Sequence, residues 1–131
     1  MSITFWNTLA VRDLERARAF YAALGFEVRA MPGGAPGITV APTASSLVCL
    51  FREDAFRGMI PGELCDASRA HEIVQSLSCD RKDAVDQLVA RAEEAGGKII
   101  GRPAPQPYGY GGGFSDPDGH VWAVLWLAQA G

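Results

Sequence analysis

The sequence is poor in cysteine, in histidine and in clustered positive charge. Its 131 residues include three cysteines without a Cys-x-x-Cys motif, and two histidines. An odd number of separated cysteines argues against a disulfide framework, so we expect reduced thiols. No segment collects lysine and arginine, and the formal net charge is −3, which leaves no positive field to attract phosphates. The sequence therefore predicts no nucleic-acid partner.

Long apolar runs are also missing. No stretch approaches the roughly 18 apolar residues of a membrane-spanning helix. The first residues lack the basic segment and the cleavage pattern of a secretory signal. We therefore expect no membrane association and a cytoplasmic location. With 48% hydrophobic and 21% charged residues, the composition is that of an ordinary folded chain, and its length predicts one domain over residues 1–131.

The first half of the sequence has a recognisable order of elements. Ile3–Val11 alternates in the manner of a strand with two usable faces. Asp13 is placed to cap a short helix, and Gly25 is placed to end it. Three further strands are predicted at residues 26–29, 37–41 and 46–51, separated by turn-forming residues.

The second half repeats that order. Residues 72–79 predict a strand, Asp80 predicts a helix cap, and Gly96-Gly97 predicts the end of the helix. Three more strands are predicted at residues 98–100, 111–115 and 120–126. The order strand, helix, strand, strand, strand therefore occurs twice.

This repeat predicts an α+β fold of two βαβββ modules, residues 1–52 and 72–131, joined by a polar connector at 53–71. Because one helix covers only one face of each module's strands, the other face stays open. We expect the eight strands to form a cupped mixed sheet with a helix behind each half. Concave surfaces of this kind are common small-molecule sites, so we expect the function to lie there.

Two motifs resemble a known superfamily. They are VRDLERARAFYxxLGF at residues 11–26 and FSDPDGHxW at residues 114–122. Both are similar to signatures of glyoxalases, bleomycin-resistance proteins and extradiol dioxygenases, which form the vicinal oxygen chelate superfamily. The resemblance covers almost the whole chain and implies the two-module fold and a homodimer. It leaves the activity open, because the superfamily includes isomerases, dioxygenases, antibiotic-modifying enzymes and drug-binding proteins.

The resemblance also implies where a catalytic metal would be held. Catalytic members are similar in binding a divalent ion with His, Gln or Glu from the first and last strands of each half. The matching positions here are Trp6, Val74 and Ala123, and the strand at 46–51 has no carboxylate or imidazole, Cys49 being its one soft donor. A divalent cation needs converging donors of those types. We therefore expect no catalytic metal and no cofactor.

Alternation along the strands predicts which side chains share the open face. On the first strand, Thr8 and Ala10 should share the open face with Trp6. On the strand that opens the second half, Ser76 and Ser78 should share it with Val74. On the last strand, Val121 and Leu125 should share it with Ala123. A slip of one residue would instead place Trp122 and Val124 in the lining.

Two tyrosines add aromatic groups to the predicted site. Tyr108 and Tyr110 stand in a segment rich in glycine and proline, residues 103–113, which is predicted to be a loop over the cup. Phe114 and Trp122 are predicted to pack against the helices. An aromatic, small and mildly polar lining suits a planar or amphipathic organic ligand. The predicted ligand-binding residues are Trp6, Thr8, Cys49, Ser76, Ser78, Tyr108 and Tyr110.

The leading prediction is thus a small-molecule binding protein without a catalytic metal. One alternative is a divalent-metal-dependent lyase, similar to lactoylglutathione lyases, or a dioxygenase, with displaced ligands among His71, His120 and Glu53. Another is an interaction subunit whose cup is filled by its own side chains. Asp116 and Asp118 are paired acids, but Asp-Pro-Asp-Gly predicts a tight turn.

Overall fold

The computed structural model describes residues 1–128, so the predicted end of the domain at residue 131 lies outside the described residues. The chain divides into two compact units, which we call unit 1 (Met1–Cys65) and unit 2 (from Asp66 onward). The division falls within the connector predicted at residues 53–71. Within residues 1–128, no helix is both long enough and apolar enough to cross a membrane.

Unit 1 contains one four-stranded sheet. Its elements are β1 (Asn7–Val11), α1 (Leu14–Ala23), β2 (Glu27–Ala30), β3 (Gly37–Ala41), β4 (Val48–Arg52) and α2 (Glu53–Arg57). The strand order is β1-β4-β3-β2, with β1 and β4 parallel and the other pairs antiparallel. Helix α2, inside the predicted connector, is an element that the sequence did not predict.

Unit 2 has the same connectivity. Its elements are β5 (Val74–Ser78), α3 (Lys82–Glu94), β6 (Lys98–Gln106), β7 (Gly109–Ser115) and β8 (Val121–Leu127). The strand order is β5-β8-β7-β6, with β5 and β8 parallel and the other pairs antiparallel. The predicted α+β fold with two βαβββ modules is confirmed.

The ends of α1 and α3 follow the local chemistry of the sequence except at the start of α3. The Asp13 side chain accepts a hydrogen bond of 3.1 Å from the backbone N–H of Arg16, as an N-cap should. Gly25 and Gly96 follow the helices with φ of 90° and 103°, the left-handed conformation that glycine tolerates best. The prediction of Asp80 as a cap is wrong. Helix α3 begins at Lys82, and its N-cap is the extended residue Arg81, which makes no side-chain cap bond.

One face of each sheet carries the core. In unit 2, Phe114 and Trp122 are both buried, and their rings stack with centroids 6.2 Å apart. They lie on neighbouring strands and share a face with the buried Val124. The buried side of α3, with Val85, Val89 and Ala92, contributes to the same core. The prediction that these two aromatics belong to the core is confirmed, and the alternative register is excluded.

The predicted loop at residues 103–113 is instead most of a β-hairpin, so that prediction is wrong. Gln106 pairs with Gly109, which leaves only Pro107 and Tyr108 as the turn. The prolines of β6 are tolerated because this strand is the edge of the sheet, where a missing N–H breaks no ladder bond on the open side.

Candidate ligand-binding site

The open face of unit 2 combines small side chains from three strands. Ala123 on β8 pairs with Gly113 on β7 and with Ser76 on β5. Leu125 pairs with Gly111 and with Ser78 in the same way. The predicted grouping of Val74, Ser76 and Ser78 with Val121, Ala123 and Leu125 on one face is confirmed.

A cavity of about 270 Å³ lies on this face. It is lined by residues of β6, β7 and β8 and by the hairpin turn: Ile100, Gly101, Arg102, Gln106, Tyr108, Gly111, Gly112, Gly113, Val121, Trp122, Ala123 and Leu125. The lining is mainly apolar with a few polar groups, which is the usual make-up of a small-molecule site. We call it the β-face cavity.

The absence of a side chain at Gly111 allows Tyr108, in the hairpin turn, to lie at the β-face cavity. A Cβ atom on Gly111 would stand 2.5 Å from the Tyr108 hydroxyl and 3.0 Å from Cδ2 of Leu125. The phenol of Tyr108 therefore approaches the bare backbone of β7, with 41% of the residue exposed. The structure places Tyr108 at the cavity, as a residue with an aromatic face and a hydroxyl able to donate or accept a hydrogen bond.

A second glycine accommodates an irregularity in β6. The pairing of β6 with β7 shifts register between Ile99 and Gly101 and again between Gly101 and Ala104. A Cβ on Gly112 would lie 2.8 Å from the carbonyl oxygen of Gly101, so only glycine allows this approach. Irregularities of this kind redirect side chains, and this one includes Arg102, which lines the cavity. Sequence reasoning missed Arg102, although a Gly-Arg-Pro segment opposite a glycine run was a usable signal.

Tyr110 faces the other way. Its hydroxyl donates a hydrogen bond of 2.6 Å to Oδ1 of Asp86, which belongs to α3. That bond raises the pKa of Tyr110, and burial and the negative charge of Asp86 raise it further. The prediction of Tyr110 over the cup is wrong, because neighbouring residues of a strand point to opposite faces and Gly111 is the one on the open face.

In unit 1, three predicted site residues have clear positions. Thr8 pairs directly with Cys49, so they share a face, and Cys49 is buried. Burial raises the pKa of the Cys49 thiol. Trp6 belongs to the predicted strand but lies outside the observed β1, which begins at Asn7, so that part of the prediction is wrong. Asn7 pairs with Val48, the first residue of β4, and Trp6 therefore has no pairing residue on that strand.

The residues at the positions expected for a metal do not fit a divalent cation. The side chains of Trp6, Val74 and Ala123 offer no lone pair that such a cation accepts. The remaining position has Cys49, whose raised pKa favours the neutral thiol over the thiolate that binds metals.

The alternative metal ligands considered from the sequence, His71, His120 and Glu53, do not form a metal site either. Among residues 1–128, no three His, Cys, Asp or Glu side chains are grouped closely enough to hold an ion. Glu53 is the first residue of α2, and His71 lines a separate cavity of about 310 Å³ in unit 2.

The paired acids have a structural role. Oδ1 of Asp116 accepts hydrogen bonds from the backbone N–H groups of Asp118, at 3.0 Å, and of His120, at 2.8 Å. Both carboxylates are buried in the turn between β7 and β8. The predicted tight turn is confirmed.

Comparisons with known proteins agree with this fold. The family model described as the Glyoxalase/Bleomycin resistance protein/Dioxygenase superfamily matches residues 4–124. A hypothetical protein from S. aureus is similar in structure, with 31% identity, 97% of this chain and 95% of that chain covered, and a TM-score of 0.86. No curated protein matches the sequence significantly.

Two further solved structures carry descriptions of function. TnmS3 from Streptomyces sp. CB03234, described as an antibiotic binding protein, is 30% identical over 98% of this chain and 99% of its own, with a TM-score of 0.64. A glyoxalase-related enzyme from Fulvimarina pelagi is 20% identical over 96% of this chain and 88% of its own, with a TM-score of 0.80, and shows the fold alone.

Proposed function

Because the chain belongs to the glyoxalase/bleomycin resistance protein/dioxygenase superfamily, we propose that it binds a planar or amphipathic organic molecule. The ligand lies in the β-face cavity, and no catalytic metal takes part. The observation that carries the proposal is the floor of Gly113 and Ala123, with Tyr108 lying against Gly111 beside it. A floor without long side chains leaves room for a flat molecule, and the ring offers a stacking surface.

The size and chemistry of the cavity define the ligand. Its volume of about 270 Å³ is just below the range of roughly 300 to 1,000 Å³ for drug-sized molecules. A group of one or two fused rings therefore matches it. Val121 and Leu125 supply apolar contacts, while the Tyr108 hydroxyl and the Gln106 amide supply hydrogen bonds.

Two further considerations favour binding over metal-dependent chemistry. TnmS3, 30% identical, is described as an antibiotic binding protein. In addition, the positions where the family resemblance implies metal ligands hold side chains that do not fit a divalent cation. The resemblance also implies a homodimer, which we propose as the assembly, to be checked by light scattering during size-exclusion chromatography.

The binding proposal is tested with 2-naphthamide, a neutral two-ring probe, titrated by calorimetry. We expect saturable binding to the wild type and a loss of at least about tenfold in affinity for Ala123→Leu, because a larger side chain occupies the floor. Ala30→Leu, the same change at an exposed position of β2, is the control and should bind normally. Unchanged binding by Ala123→Leu, or no binding by the wild type, overturns the proposal.

The absence of a catalytic metal is tested separately. Protein purified without chelator is analysed for metals, then melted with and without Co²⁺, Ni²⁺, Zn²⁺ and Mn²⁺. A metal that binds only the folded state adds about 2.7 kcal/mol of stability at a hundredfold excess over its dissociation constant. We expect no stoichiometric metal and no shift. One metal per chain with a raised Tm would favour the lyase or dioxygenase alternative.

A further inference from the structure

The charge at the lining of the β-face cavity is positive. Among the described residues that line it, Arg102 is the one with a charged side chain; the others are apolar residues, glycines, Gln106 and Tyr108. We propose that the ligand bound there carries a carboxylate or a similar anionic oxygen group on its flat ring system, and that Arg102 recognises this group. The inference rests on the proposed function and adds the chemical class of the ligand.

The position of Arg102 is built into the backbone. It stands between the two residues, Gly101 and Ala104, across which the pairing of β6 with β7 shifts register. On the facing strand, Gly112 would bring a Cβ within 3.0 Å of the Pro103 nitrogen, so the irregularity depends on that glycine. Because both strands are shaped around this point, the backbone fixes the base of the Arg102 side chain at the cavity.

The present partner of Arg102 holds it weakly. Its Nη2 lies 3.6 Å from Oε2 of Glu93, a residue of α3, so the guanidinium is turned toward the helix and has to swing past the edge strand β6 to reach a ligand in the cavity. The two side chains are 75% and 53% exposed. Exposed ion pairs contribute little free energy, since solvent screens the charges. A ligand carboxylate can accept two parallel hydrogen bonds from a guanidinium, which makes it a stronger partner than a single contact at 3.6 Å. The guanidinium therefore exchanges Glu93 for the ligand at small cost.

Polar groups beside Arg102 suit the same ligand. The Tyr108 hydroxyl and the Gln106 amide are both donors at the cavity. Together with the guanidinium they provide donors for an anionic oxygen, while Val121 and Leu125 contact the ring system. No lining residue among the described ones has a carboxylate that would repel it.

The test compares 2-naphthoate with 2-naphthamide, which have the same ring system and differ in charge. For the wild type, we expect naphthoate to bind about five- to tenfold more tightly, as a charge-assisted pair predicts. Arg102→Gln should remove this preference, so that the two probes bind this variant with affinities within about twofold of each other. Arg102→Lys keeps the charge without the planar fork and should give an intermediate preference.

Glu93 supplies a control with the opposite sign. Glu93→Gln removes the competing partner and should tighten naphthoate binding by about twofold, with naphthamide unchanged. Equal affinities of the two probes for the wild type, or an equal loss of both in Arg102→Gln, overturn this inference while the proposed function stands. If neither probe binds the wild type, the proposed function fails and this inference fails with it.

Discussion

The hydroxyl of Tyr110 donates a hydrogen bond of 2.6 Å to Oδ1 of Asp86 and so ties strand β7 to helix α3. The bond, followed by burial and by the charge of Asp86, raises the pKa of Tyr110 above its ordinary value of 10.0. A raised pKa in the folded state means that the stabilisation is complete below the unfolded pKa and is lost as pH rises through the folded one.

We therefore expect Tyr110→Phe to lower the Tm at neutral pH and to have less effect under strongly alkaline conditions. Thermal melts of both proteins across a pH series measure the difference. In Asp86→Asn, whose side chain still accepts a hydrogen bond but has no charge, the pKa of Tyr110 should move back toward its ordinary value. A difference in Tm that stays constant with pH would contradict this account.

Gly109 should not tolerate a side chain. Its φ is 145°, and a Cβ there would lie 2.2 Å from the carbonyl oxygen of Trp126. Gly109→Ala should destabilise the protein by at least about 2 kcal/mol, measured by urea unfolding. Gly101→Ala is the matched control, because a Cβ at Gly101 meets nothing within 4 Å and the change should stay within about 0.5 kcal/mol. Equal losses would be inconsistent with the hairpin geometry.

The stacked pair in the core of unit 2 should dominate its stability. Phe114 is fully buried against Trp122, so Phe114→Ala should cost about 3–5 kcal/mol in the free energy of unfolding. Ile100→Ala, at a residue 59% exposed on the other face, should cost under about 1 kcal/mol. Urea unfolding distinguishes the two, and a small effect of Phe114→Ala would mean that this face is not the core.

Two aspartates test the helix boundaries. Asp13→Ala removes the bond that caps α1 and should cost about 1 kcal/mol of stability. Asp80→Ala should be nearly neutral, because Arg81 is the residue before α3. Far-ultraviolet circular dichroism during thermal unfolding gives both values. A larger loss for Asp80 than for Asp13 would place the start of α3 one residue earlier.

The three thiols should react in a fixed order. Cys65 is exposed, Cys79 is half-buried, and Cys49 is buried. Burial raises the pKa of both Cys49 and Cys79, and the negative charge of Asp80 raises the pKa of Cys79 further. At neutral pH these two residues therefore have a smaller fraction of the reactive thiolate. Iodoacetamide should therefore modify Cys65 first and Cys49 last, as peptide mass spectrometry would show. In urea the rates should converge, and rapid modification of Cys49 in the folded protein would contradict its position.

The sequence predicted those features that depend on alternation and on large apolar residues. Period-two alternation placed Ser76 and Ala123 on one face, and the neighbouring Trp122 was predicted to be buried on the other. Both predictions hold because the opposite faces of the sheet differ strongly in their side chains. The helix that follows Asp13 was predictable for a similar reason, since its cap and its apolar stripe agree.

The features that were missed depend on position in the sheet. Proline and glycine between residues 103 and 113 usually indicate a loop, but here β6 is an edge strand and the glycines of β7 accommodate it. No local pattern reveals which strand will be the edge. Arg102 was missed and Tyr110 was predicted on the wrong face for the same reason. Side chains alternate between two faces along a strand, but they follow no fixed alternation in a loop.

Equivalent registers in the two units hold side chains of different size. Where unit 1 pairs Gly37 with Phe51 and Thr39 with Cys49, unit 2 pairs Gly111 with Leu125 and Gly113 with Ala123. The Phe51 ring approaches Gly37 so closely that a Cβ would lie 2.9 Å from it. Ligand preference should therefore change most readily through substitutions at Ala123 in the second repeat, where a longer side chain narrows an existing space. The first repeat would have to lose the Phe51 ring before it could offer such a space.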